Sequence, residues 1–159
     1  MRWITRARPK IDRIACPWLI RRFVDREAEF IFTAPENVVS EAQKLGAIPF
    51  DVEGVELSHD GELCSFDAIL RKYELHDPAL DELAVIIRGA DTDQLHLAPQ
   101  AAGLLAISLG LSRNFTDDDE QLAHGVILYD ALYSWARLVR DERHTWNPQR
   151  TPRPAPAAV

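Results

Sequence analysis

The sequence predicts an α+β domain in which a small N-terminal sheet packs against a mostly helical C-terminal two-thirds. Three observations carry this. The segments of strand character (3–5, 29–33 and stretches within 47–59) all precede Gly61. From Gly61 onward the apolar residues recur at helical spacing behind helix-type start signals. Finally, 159 residues with 47% hydrophobic and 27% charged side chains suit one soluble core and exclude a disordered polyelectrolyte or a fibrous repeat. Strands segregated from helices are the α+β pattern.

Taken in order, Trp3-Ile4-Thr5 is aromatic and β-branched and reads as a first strand ending by Arg8-Pro9. Cys16-Pro17-Trp18 is read as the opening of a helix, because proline is pre-set for a first helical position; that helix runs to about Asp25. Residues 29–33, Glu-Phe-Ile-Phe-Thr, form a second strand, and Ala34-Pro35-Glu36 starts a helix through Leu45 closed by Gly46. Residues 47–59 give one or two short strands around Gly54. Four helices follow, starting at Ser65-Phe66-Asp67, Asp77-Pro78, Pro99 and Asp117, the last running to Arg143. The domain spans residues 1–146, and the proline-rich stretch 147–159 reads as an extended, mobile tail.

Charge and motifs narrow the function. With 18 Lys and Arg against 25 Asp and Glu, the net charge of −7 is the wrong sign for coating nucleic acid or an anionic membrane. The longest apolar-rich stretch, 95–111, is interrupted by His96, Pro99, Gln100 and glycines and is short for a bilayer span, so no membrane partner is expected. The basic N-terminus has no apolar core and no cleavage site, which points to the cytoplasm, as do only two cysteines without CxxC spacing. No GxGxxG, GxxxxGK[ST], HExxH or GxSxG motif is present, so no nucleotide cofactor and no common hydrolase chemistry is expected.

Seven of the 18 basic residues lie in the first 22 positions, where Asp12 is the only acid. Arg6, Arg13 and Arg22, together with free N–H groups of a helix entrance, can hold a tetrahedral oxyanion; the alternative is that they pair with acids elsewhere in this acidic chain. Cys16, beside Arg13 at that entrance, is a candidate nucleophile if the helix dipole favours thiolate, or else a small core residue. His59 and Cys64 bracket one turn as His-x4-Cys and can share a metal ion, with Asp91 after Arg88-Gly89 and Asp130 on the last helix as more distant ligands. A satisfied turn histidine, a helix-capping Asp91 and an ion-paired Asp130 are the structural alternatives. The fitting metals are divalent zinc, iron or manganese.

Several long blocks resemble one family. Trp3-Ile4-Thr5-Arg6 with residues 9–23, Gly54-Val55-Glu56-Leu57-Ser58-His59 with Cys64-Ser65-Phe66, residues 87–92 and 97–111, and Gly125 with Tyr129 to Tyr133 are similar to the C-terminal domain of the chromate-resistance ChrB family, from about residue 2 to Trp146. The resemblance implies a part in chromate resistance, where longer members act as chromate-responsive regulators of an efflux operon. This chain lacks their additional N-terminal half and carries no compensating positive charge, so direct DNA binding is not expected of it. Two functions stand side by side. One is a sensor or binding module holding an oxyanion or metal ion between the Asp12-Arg13-Cys16 segment and His59, Cys64, Asp91 and Asp130. The other is an enzyme using a metal or the Cys16 thiolate on chromate or a related stress metabolite. A homo-oligomer is compatible with both.

Overall fold

The computed structural model describes residues 1–143; the expected tail at 147–159 lies outside the described residues. Strand β1 (Arg2–Arg6) is central, flanked by β2 (Glu29–Thr33) and β3 (Ile48–Pro49) in the order β2-β1-β3, and both pairings are parallel. Parallel neighbours need crossover connections. Helix α1 (Asp12–Leu19), continued by a π turn over Ile20–Val24, supplies the first, and α2 (Val38–Leu45) supplies the second. Gly46 ends α2 at φ +60°, a left-handed conformation that glycine adopts without Cβ strain.

Alternation along β1 divides the core. Trp3 points into the main cluster with Trp18, Phe50, Phe66 and Leu83, whereas Ile4 packs on the opposite face with Val38 and Ala42 of α2. The remaining helices, α3 (Ser65–Lys72), α4 (Pro78–Asp91), α5 (Ala101–Asn114) and α6 (Asp118–Ser134), bury the main face. The molecule is thus α+β with a three-stranded sheet at its N-terminal end, as the sequence predicts. The parallel pairing and the two crossovers are additional to that expectation.

Two boundaries differ in a way that matters for chemistry. Helix α1 begins at Asp12, not at Cys16-Pro17, so Pro17 lies inside it and Cys16 belongs to its second turn. Interior proline removes one helical donor, and here the helix persists because Ile14, Ala15, Cys16, Trp18 and Leu19 are all buried. Helix α5 begins at Ala101, two residues beyond Pro99. Among the described residues, no helix is long and apolar enough to cross a membrane.

Candidate metal centre

In a parallel sheet the connections leave the central strand on both sides, and the crevice at the carboxyl ends of the diverging strands is where a site forms. Here that place lies between β1 and β3. Arg6 ends β1, and Asp51 follows β3 after Phe50, whose N–H donates to the Ile4 carbonyl. Asp51 has φ +50°, a left-handed conformation that costs a non-glycine residue about 1 kcal/mol and is found where function or packing demands it. The turn directs its buried carboxylate into the crevice. Oδ2 meets Arg6 Nη2 at 2.8 Å and Arg13 Nε at 3.1 Å, and Oδ1 accepts from Ser65 Oγ at 2.9 Å.

Three further elements converge there. Asp12, at the start of α1, is 1% exposed; its Oδ2 accepts the Ser65 N–H at 2.6 Å, while its Oδ1 is buried without a partner among the described residues. Asp91, the last residue of α4, accepts the Asp12 N–H at 3.4 Å through Oδ1. His59, on the turn before α3, points Nε2 at three carboxylates: 3.1 Å from Asp91 Oδ2, 3.5 Å from Asp51 Oδ1 and 3.8 Å from Asp12 Oδ2. Ligand atoms of Asp12, His59 and Asp91 all lie within 4.8 Å of one another. Around one cation at ~2.1 Å, such atoms stand ~3–4 Å apart, so small side-chain movements close the shell.

The electrostatics follow from this crowding. Burial, then the neighbouring Asp91 and Asp51 charges, push the Asp12 carboxyl well above its ordinary value. Hydrogen bonds to Asp51 and Asp91 raise His59 from 6.5 to about 10, so the metal-free cluster holds an imidazolium. Asp51 stays below the usual carboxylate range despite its burial, because His59 and Arg6 hydrogen-bond its ionised form. One side of the cluster opens onto a cavity of about 450 Å³ whose wall includes Arg6, Lys10 and Arg13.

Cys16, Arg22, Cys64 and Asp130 lie outside this group. Cys64 caps α3 and is fully buried, outside the converging group, and burial followed by the Asp12 and Asp67 charges pushes its thiol up. Asp130 is remote: it pairs with Arg22 at 2.7 Å and accepts from Trp18 Nε1 at 2.9 Å, which is the ion-paired alternative. Arg22 is therefore separate from Arg6 and Arg13, and those two face Asp51, so the three arginines form no common anion cradle. Cys16 is 0% exposed, and burial followed by the Asp12 charge raises its pKa, the opposite of thiolate activation. Asp51 belongs to no motif. Its available signal was its place directly after a strand, once that strand is known to lie parallel to the first.

The model of the family described as "ChrB, C-terminal domain" matches residues 3–136. The chain is 32% identical over 133 residues to "Protein ChrB" of Cupriavidus metallidurans, a match covering 83% of this chain and 40% of that protein. The chain thus corresponds to less than half of that relative's length. No solved structure matches the chain.

Proposed function

The chain belongs to the ChrB C-terminal domain family, which relates to chromate resistance, and we propose that its part in that process is to hold one divalent transition-metal ion between Asp12, His59 and Asp91. The observation that carries this reading is the buried, unpartnered Oδ1 of Asp12 beside an imidazole nitrogen already facing three carboxylates. His59 Nε2 faces Asp91 at 3.1 Å, Asp51 at 3.5 Å and Asp12 at 3.8 Å, so a cation entering there would meet the imidazole and the carboxylates together. One imidazole and two carboxylates suit zinc, manganese or iron(II), whereas thiolate-seeking ions would need the cysteines that lie elsewhere. Asp51, engaged by Arg6, Arg13 and Ser65, orients His59.

The test is elemental analysis of purified protein, followed by titration of metal-stripped protein with zinc, manganese and iron(II). About one equivalent is expected, lost in His59→Ala and Asp91→Asn and kept in Cys64→Ser and Asp130→Asn. Failure of all three ions to bind, or metal retained by both His59→Ala and Asp91→Asn, overturns the reading. A second reading, a small oxyanion such as chromate in the adjoining cavity, is favoured by Arg6, Lys10 and Arg13 on its wall. It requires thermal stabilisation by chromate or sulfate that Lys10→Ala weakens.

A further inference from the structure

The cavity of about 450 Å³ beside the three candidate ligands receives them unequally. His59 and Asp91 form part of its wall, whereas Asp12, 1% exposed, lies behind them. An ion held by these three groups would therefore keep its remaining coordination positions on the cavity side. Three protein donors with a free position is the arrangement of metal sites that take a small molecule, whereas structural zinc sites are closed by four.

The wall offers two further kinds of contact. Arg6 and Arg13 are committed, since both pair with Asp51 and both donate to backbone carbonyls, of Asp51 and Ala7 respectively. Lys10 lines the same cavity and makes no ion pair among the described residues, so it is the cation left to face a ligand. The second contact comes from α5, where Leu105 and Leu109, one turn apart on one face, also line the cavity and Leu109 is 47% exposed. An inorganic oxyanion would use the ion and Lys10 and leave this leucine pair wet. A carboxylate carrying an aliphatic chain uses all three.

We propose, resting on the metal reading above, that the cavity takes a small monocarboxylate whose oxygen coordinates the bound ion beside Lys10 and whose aliphatic chain lies on Leu105 and Leu109. The test strips the full chain of metal, reloads it with zinc, manganese or iron(II), whichever it binds, and titrates it by calorimetry with acetate, hexanoate and sulfate. Hexanoate should bind about tenfold or more tightly than acetate, because each fully buried CH₂ is worth close to fourfold in affinity. Both acids should bind the metal-free chain at least about tenfold more weakly, since the ion is one of their ligands. Lys10→Gln should weaken both acids alike. Leu109→Ser should cut the hexanoate-to-acetate ratio by about threefold, a ratio taken within one loaded variant so that any loss of metal or fold cancels. A loaded chain that binds neither acid, a ratio near one, equal affinity for the metal-free chain, sulfate bound in place of both acids, affinities untouched by Lys10→Gln or a ratio untouched by Leu109→Ser each overturns the proposal and leaves the metal site standing. If all three ions fail to bind, the metal reading itself falls and takes this one with it.

Discussion

His59 Nε2 stands 3.1 Å from Asp91 Oδ2, joining the turn before α3 to the C-terminal end of α4. In the metal-free protein this contact, with the one to Asp51, makes folding depend on pH. A histidine whose pKa rises from 6.5 to about 10 on folding stabilises fully below pH 6.5 and loses that contribution as pH climbs through 10. The thermal midpoint of chelator-treated protein should therefore fall between pH 7 and 10, and His59→Gln should flatten that decline. An identical decline in the variant would remove His59 as its source.

Asp51→Asn should destabilise the fold by about 3 kcal/mol, because it withdraws the charge that Arg6 and Arg13 share at a site where Asp51 is 3% exposed. Urea unfolding measures this. A loss below ~1 kcal/mol, the range of exposed pairs, would show that solvent compensates both arginines.

Gly125 faces Ile14 across the α1–α6 packing. A Cβ there would lie 2.6 Å from Ile14 Cγ2, a branch fixed close to its backbone. The helix-propensity gain of about 1 kcal/mol for Gly→Ala is then outweighed by overpacking of roughly 1–3 kcal/mol. Gly125→Ala should lower the unfolding midpoint, and combining it with Ile14→Ala should cost less than the two changes added separately.

The buried thiols should be inert. Cys16 and Cys64 are each 0% exposed with raised pKa values, so a water-soluble thiol reagent at neutral pH should modify neither in the native state and both after unfolding. Rapid native labelling of Cys16 would reinstate it as a nucleophile.

Much of the local architecture is readable from residues alone. The β-branched and aromatic runs mark β1 and β2, Gly46 closes α2, and Asp77-Pro78 and Asp117 start α4 and α6, because caps and side-chain periodicity act over a few residues. His59 and Asp91 also stand out, one on a turn and the other after Arg88-Gly89. Pro17 misled because its preference for a helix start is weaker than the burial that Ile14, Trp18 and Leu19 gain by extending the helix backward. Cys64 and Asp130 carry suitable donor atoms, but whether donors meet is a matter of distance in space.

The sequence by itself determined the family, the α+β class and the chemical types available: carboxylates, one turn histidine and a basic N-terminal segment. Only the tertiary structure decided which of them share a site. Pairing β3 parallel to β1 brings Asp51 beside Arg6, and packing α1 against α3 and α4 brings Asp12 to Ser65 and Asp91. These partners are far apart along the chain and are held by core burial, to which the local signals of capping and periodicity are blind.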